Sequence, residues 1–211
     1  MGQDARMDPV SIVRAGYDAI GPRYHAWSGG SRARIAYTER LLSMLAPGSL
    51  VLELGCGPGD PATRMLSSAH RVVGVDLSAG QLALARRHAP RAALAQADMT
   101  RLSVRPSSVD AIASFFALGH VPVADQAPLL ASFGGWLRPG GVLVTNIPVT
   151  PDEGVEEGWL GVPMFFGAIG RAATVAALES GGLAVESVEN VPEDEGEDRV
   201  AAFDWVVARR P

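Results

Sequence analysis

One cysteine stands among 211 residues. No intrachain disulfide framework can form from it, and a reducing cytoplasm is the expected setting. No apolar run reaches the ~20 residues that span a bilayer, and no basic, apolar, small-residue leader opens the sequence, so no membrane partner is expected. Positive charge is short as well. Eighteen Lys and Arg against 23 Asp and Glu give a formal net charge of −5 and an isoelectric point near 5.4. That balance argues against a nucleic-acid backbone as the main partner. Internal repeats are missing, and so is any linker long enough to separate domains. The chain, 47% hydrophobic, is therefore expected to be one domain over residues 1–211 with a full core. No metal site is expected, and oligomeric state is not readable.

What is present centres on Leu50–Pro61, LVLELGCGPGDP. Leu50, Val51, Leu52 and Leu54 read as a short buried parallel strand. Gly55, Gly57 and Gly59 follow; lacking Cβ atoms, they permit a sharp turn and close approach of a ligand. Asp60-Pro61 reads as a carboxylate cap before a first-turn proline. Strand, glycine turn and helix start describe a nucleotide-binding βα turn, the alternative being a glycine-rich turn with no ligand. A dinucleotide fingerprint spaces its glycines G-x-G-x-x-G and holds a pyrophosphate at the helix start. Here the third glycine comes one residue early, and Asp60 would repel a pyrophosphate. Glu53 is a second carboxylate, suited to an ammonium group. Cys56, inside the loop, reads as a small filler rather than a nucleophile. The run E-x-G-x-G-x-G resembles motif I of class I S-adenosylmethionine-dependent methyltransferases, whose cofactor is cationic and carries no phosphate.

Along the chain, Met1–Met7 is expected to fray. A helix spans Val10–Ile20, Gly21-Pro22 ends it, and Tyr24, His25 and Trp27 follow in a loop. A second helix runs from about Arg32 to Leu45. Strands at 50–54, 71–77, 92–97, 109–115 and 142–147 then alternate with helices at about 60–68, 78–88 and 125–137, with a turn at Arg138–Gly141. This alternation implies a parallel sheet covered on both faces. After a helix at 171–180, two strands at 183–191 and 201–210 read as a hairpin, so one must run antiparallel. Acidic clusters at Asp152–Glu157 and Glu193–Asp198 read as solvated loops.

Ligands of open α/β sheets sit beyond the carboxyl ends of the strands. Asp76 ends the second strand and suits ribose hydroxyls, or else caps the next helix. Leu77 offers an apolar face to an adenine. Asp98 and Met99 end the third, suiting adenine's amino group and a ring nitrogen, or else supply a mere loop carboxylate. Carbonyls of Ser114 and Phe115 end the fourth. Together with ADM at 97–99, VDAIASFFALGHVP at 109–122 and WLRPGG at 136–141, these extend the resemblance to class I methyltransferases over nearly all of the chain from Tyr17. Val109 departs from it, standing where the family usually has a phenylalanine. The resemblance implies a doubly wound, mostly parallel seven-stranded α/β sheet with its last strand antiparallel. It also implies a helical lid at 1–46 in which Tyr17, Asp18 and Tyr24 cover the cofactor, and an acceptor-pocket insertion at 148–168. Small bacterial enzymes that methylate small molecules are the nearest type.

The expected chemistry is in-line methyl transfer, in which the protein aligns donor and acceptor and excludes water. His120, five residues past the fourth strand, is the candidate base where the acceptor must lose a proton; holding its loop is the competing role. His25 is a weaker candidate in the same pocket, and His70 and His88 read as helix-end groups. Trp159, Met164, Phe165 and Phe166 suit an aromatic or lipophilic acceptor, or simply pack the insertion. Three other functions compete: a binding protein that keeps the cofactor without transferring methyl groups, a Rossmann dehydrogenase, and a nucleic-acid methylase. Asp60 counts against the second. The third lacks both a basic stripe and an Asn/Asp-Pro-Pro-aromatic run after the fourth strand.

Overall fold

The computed structural model describes residues 8–149, 151–196 and 199–211. Helices α1 (Pro9–Ser28) and α2 (Arg32–Met44) lead into β1 (Leu50–Leu54), α3 (Ala62–Ala69), β2 (Arg71–Asp76) and α4 (Ala79–His88). Next come β3 (Ala93–Gln96), β4 (Val109–Ser114), α5 (Val123–Trp136) and β5 (Leu137–Pro148). The chain continues through β6 (Asp152–Trp159), β7 (Val162–Ala168), α6 (Gly170–Ser180), β8 (Ala184–Gly196) and β9 (Arg199–Arg209). Seven strands form one sheet in the order β3-β2-β1-β4-β5-β9-β8. The first five pair in parallel, and β9 enters antiparallel between β5 and β8. This is the topology implied by the sequence.

Period-two alternation fills both faces. Val51, Ala111, Ala113, Val142, Val144 and Val207 turn toward one cluster with Leu41 of α2 and Leu66 of α3. Leu52, Leu54, Ile112, Leu143 and Val206 turn to the other, against Leu130 and Phe133 of α5 and Leu178 of α6. A central parallel strand must be apolar on both sides, because helices cover both. Tyr37 stacks on fully buried Trp205 at 4.2 Å between centroids, and its hydroxyl donates to Glu189 at 3.0 Å. Those contacts fasten α2 to the β8–β9 edge. A third cluster joins Ile12, Val13 and Ile20 of α1 to Trp159, Met164 and Phe165 of the β6–β7 hairpin.

Several boundaries differ from expectation. Gly21-Pro22 does not end the first helix. Gly21 takes φ 6° and ψ −93°, a kink that absorbs the missing Pro22 N–H, and the helix resumes. Tyr24, His25 and Trp27 are therefore helical rather than in a loop. Asp60 caps nothing: α3 has no side-chain cap, and the Asp60 carboxylate instead accepts from Arg64 Nε at 2.5 Å. The stretch Arg138–Gly141 is bulged strand rather than turn, since Leu137 already pairs with Val109 ahead of the shift at Ala111. The acids Asp152–Glu157 lie on β6, where the solvent side of a two-stranded hairpin accommodates them. Residues 193–196 likewise belong to β8 rather than to a loop, and Met1–Met7 and residues 197–198 lie outside the described residues.

Candidate active site

The loop after β1 is built by glycines that no other residue could replace unchanged. Gly55 has φ +72°, and a Cβ there would stand 2.3 Å from the Ala117 Cβ. Gly59, φ +79°, would place a Cβ 2.9 Å from the Ala85 Cα, so its role is to let α4 pack closely. Asp76 ties this loop to the next turn: it accepts from the Gly57 N–H at 2.7 Å and the Ser78 N–H at 2.9 Å. Burial pushes the Asp76 carboxyl up to about 6, while the N–H groups of Ser78, Gly57 and Leu77 pull it back. Asp98 accepts from both the backbone N–H and the hydroxyl of Thr100, at 2.9 and 2.7 Å. Cys56 is buried with its thiol raised by that burial, and it packs against Gly74, a filler as expected.

Two cavities meet above the loop. The smaller, about 80 Å³, is lined by Gly55, Gly57, Asp76, Leu77, Asp98 and Met99, with Phe115 behind them. The larger, about 1540 Å³, opens between α1, α2, the β6–β7 hairpin and the ends of β5, β8 and β9. Tyr17, Tyr24, Phe116 and His120 line both. Tyr17 and Tyr24 come from either side of the Gly21 kink, their rings edge to face at 5.0 Å. Asp18 latches α1 down, accepting from the Ser78 hydroxyl at 2.5 Å and the Gly80 N–H at 2.9 Å.

His120 is held at both nitrogens. Nδ1 lies 2.9 Å from the Phe165 carbonyl, which can only accept, so Nδ1 carries the proton. Nε2 then accepts from the Tyr17 hydroxyl at 2.7 Å. Burial lowers the His120 pKa to about 4, with the Phe165 carbonyl opposing, so the ring is neutral with its lone pair at the shared wall. Burial also raises the Tyr17 hydroxyl well above its usual range.

Not every residue expected in the site reaches it. Glu53 lies beneath the loop, 3% exposed and lining neither cavity, with Oε2 buried and unpartnered. Ser114 is fully buried in the sheet: its hydroxyl donates to the Leu54 carbonyl and its own carbonyl accepts from Thr145. Trp159 and Phe166 line the larger cavity, whereas Met164 and Phe165 pack under α1, Met164 against Gly16. His25 is a correction. The resumed helix turns it away from the acceptor space, onto His88 at 4.4 Å between ring centroids and 4.0 Å from Asp60. His88 is more than a helix-end group, since its Nδ1 donates to the Pro58 carbonyl of the glycine loop at 2.8 Å. His70 ends α3 as expected.

Three residues of the larger cavity were missed: Arg34, Phe116 and Asn146. Asn146 ends β5 and was open to the same strand-end reasoning as Asp76. Its Oδ1 accepts from the Phe116 N–H at 2.6 Å, holding that bulky residue at φ +58°. Arg34 shares an i, i+3, i+4, i+7 stripe with Tyr37, Thr38 and Leu41, all buried. A guanidinium on such a stripe is the signal that was available.

The chain's central segment, residues 51–141, matches the family described as a methyltransferase domain. Over that segment the chain is similar to methyltransferase domains, and its seven-stranded sheet with β9 antiparallel has the class I methyltransferase fold. It is 39% identical over 105 residues to a trans-aconitate 2-methyltransferase of Azoarcus sp. (strain BH72), covering 49% of this chain and 40% of that protein. An uncharacterized methyltransferase of Geobacillus kaustophilus is 32% identical over 109 residues, 50% and 51% of the two chains. The chain thus spans about half or less of the length of these curated relatives. Among solved structures, an S-adenosylmethionine-dependent methyltransferase from Mesorhizobium loti is 29% identical with TM-score 0.62, covering 82% of this chain and 96% of that one. Magnesium protoporphyrin IX methyltransferase from Synechocystis PCC 6803, solved with bound S-adenosylmethionine, shares the fold at TM-score 0.75 and 15% identity, over 99% and 100% of the chains.

The site's own chemistry fits that cofactor. Gly57 and Gly55 leave room for a backbone-hugging chain, Asp76, Leu77 and Asp98 would hold an adenosine, and the unpartnered Glu53 Oε2, closed off from both cavities here, would meet an ammonium group only if the loop above it opened. With α1 latched, 80 Å³ is well under the several hundred Å³ usual for such ligands. If the cofactor enters there the cavity must widen, and α1, which lines it through Val10, Val13 and Tyr17, is one element whose lifting would widen it.

Proposed function

We propose that the protein transfers the methyl group of S-adenosylmethionine to a small acceptor with an aromatic or lipophilic body. The observation that carries this reading is the shared wall: His120, Tyr17, Tyr24 and Phe116 separate a carboxylate-lined cavity from an aromatic one. When bound, the cofactor supplies an activated, electrophilic methyl carbon. Trp27, Trp159 and Phe166 would hold the acceptor by its apolar body, and their closure keeps water from the reacting centre. The Phe165 carbonyl fixes the His120 tautomer so that Nε2 faces the boundary as the proton acceptor. The Tyr17 hydroxyl occupies that lone pair in this structure and must move aside, or pass the proton on, when an acceptor is present. Relatives named trans-aconitate 2-methyltransferase support a small-molecule acceptor. A cytoplasmic setting without nucleic-acid or membrane partners belongs to the same proposal. Among the described residues no helix is long and apolar enough to cross a membrane, and no cluster of three or more metal-ligating side chains occurs.

The test is methyl transfer from labelled S-adenosylmethionine to a panel of small acceptors that includes trans-aconitate. Transfer to at least one is expected, and His120→Ala should lower turnover on a protonated acceptor by roughly 10²–10⁴ with unchanged cofactor affinity. Because His120 titrates near 4, turnover should show no inflection near pH 6.5. Binding of S-adenosylhomocysteine with no transfer to any acceptor would leave a binding protein instead.

A further inference from the structure

Arg34 is 7% exposed at the inner end of the acceptor cavity. One guanidinium nitrogen, Nη2, donates to the Tyr24 hydroxyl at 3.3 Å, and the guanidinium carbon stands 4.8 Å over the Phe116 ring. Its Nε is buried with no hydrogen-bond partner, and its charge lowers the carboxyl of buried Glu53 with no ion pair between the two among the described residues. A buried cation without an anion in contact is costly, and natural structures rarely leave one so. Asn146, which accepts from the N–H of that same Phe116, lines the same cavity, 1% exposed, and its Nδ2 is likewise buried without a partner. Both orphaned groups are donors. Tyr24 and Phe116, which Arg34 touches, form the wall shared with the cofactor cavity, so the donors sit next to the reaction space.

The other charges of this cavity are accounted for differently. Arg40 is spent on Glu189, at 2.7 Å, which also receives the Tyr37 hydroxyl. Arg32 and Asp152 are exposed at the rim, where water screens them. Glu156 and Glu193 are half-buried on the hairpin and β8.

Resting on the methyl-transfer reading above, we infer that the acceptor is an organic acid whose carboxylate is held by the Arg34 guanidinium and the Asn146 amide, with its apolar body against Trp27, Trp159 and Phe166. A planar guanidinium fork matches a carboxylate better than any neutral group, and an amide N–H completes the set. The anion also supplies the contact partner that the Arg34 Nε lacks.

The experiment titrates matched acid and amide pairs (benzoate and benzamide, phenylacetate and phenylacetamide, cinnamate and cinnamamide, hexanoate and hexanamide) into the full chain saturated with S-adenosylhomocysteine. Calorimetry reads each affinity. At least one acid should bind ten times more tightly than its amide, and Arg34→Met should reduce that ratio below two. Asn146→Asp keeps the acceptor for the Phe116 N–H while placing a negative charge beside Arg34. It should weaken the acid at least tenfold and leave the amide unchanged, and it serves if Arg34→Met does not fold. Binding of no acid, equal binding of every pair, or a preference that survives either variant overturns the inference. Failure of the parent chain to bind S-adenosylhomocysteine would instead overturn the methyl-transfer reading.

Discussion

Replacing Glu53 by Gln separates what this residue does for the fold from what it does for the cofactor. Burial raises the Glu53 carboxyl from 4.5 to about 7; the Thr63 hydroxyl and the Arg34 charge oppose that rise, and Asp76 adds to it. Between pH 4.5 and 7 the folded protein keeps a proton that the unfolded chain has lost. The stability carried by this group is therefore full below pH 4.5 and is lost as pH rises through 7. A difference of about 2.5 units corresponds to about 3 kcal/mol above pH 8. Glutamine keeps the shape and never ionises, so Glu53→Gln should be more stable than the parent at pH 8 by up to that amount. For a chain of this length the melting temperature would rise by roughly 6–12 °C, and the gap should close toward pH 4.5. A cofactor ammonium reverses the balance, because it needs the ionised carboxylate. Affinity for S-adenosylhomocysteine should climb more steeply from pH 5 to pH 8 in the parent than in the variant, where Asp76, at about 6, still titrates, and differ between them at pH 8 by roughly ten- to a hundredfold. Thermal melts and calorimetry across that range read both. A variant no more stable than the parent at pH 8, or one that binds S-adenosylhomocysteine equally well, would refute the assignment of a buried ammonium-binding acid.

Gly55→Ala should destabilise by roughly 2–5 kcal/mol, combining left-handed strain with overpacking against Ala117. Gly57→Ala, whose nearest neighbour would be 3.7 Å away, should cost roughly 1–2 kcal/mol in denaturant titrations. Asp18→Ala frees α1 from Ser78 and Gly80 and should speed cofactor association in stopped-flow measurements; an unchanged rate would show that α1 does not gate entry. Arg171→Met removes the paired contacts to Asp204, at 2.7 and 2.5 Å, and should lower the melting temperature at neutral pH. The Arg171 hydrogen bond holds the Asp204 carboxyl below its usual range, so that deficit should vanish as acid protonates it.

The sheet was legible because its information is local. A strand buried on both faces must be largely apolar, as β1 is but for Glu53 and β5 is over residues 142–144, and Ser78 marks the start of α4 by capping it. The residues at strand ends were legible for the same reason: topology alone puts Asp76 and Asp98 at one edge. Where the reading failed, a local rule met a tertiary constraint. Gly21-Pro22 is a stop signal only if nothing beyond it gains from helix, whereas burial of Tyr24 against the aromatic floor of the hairpin repays the kink. The same event moved His25 off the acceptor side and onto His88, since extending a helix fixes the angle of every later side chain at about 100° per residue. Met164 and Phe165 show the remaining limit. In a hairpin, alternate residues face opposite sides, so Phe166 could line the cavity only by leaving Phe165 to the core, and nothing in WLGVPMFF says which side the cavity is on. Arg34 was hidden by the converse effect: a charged residue on an apolar stripe looks like an error in periodicity until the fold shows that the stripe ends against a cavity. The larger cavity is assembled from α1, α2, β5 and a hairpin far apart in sequence. Its chemistry became readable only when donors lacking partners could be counted in three dimensions.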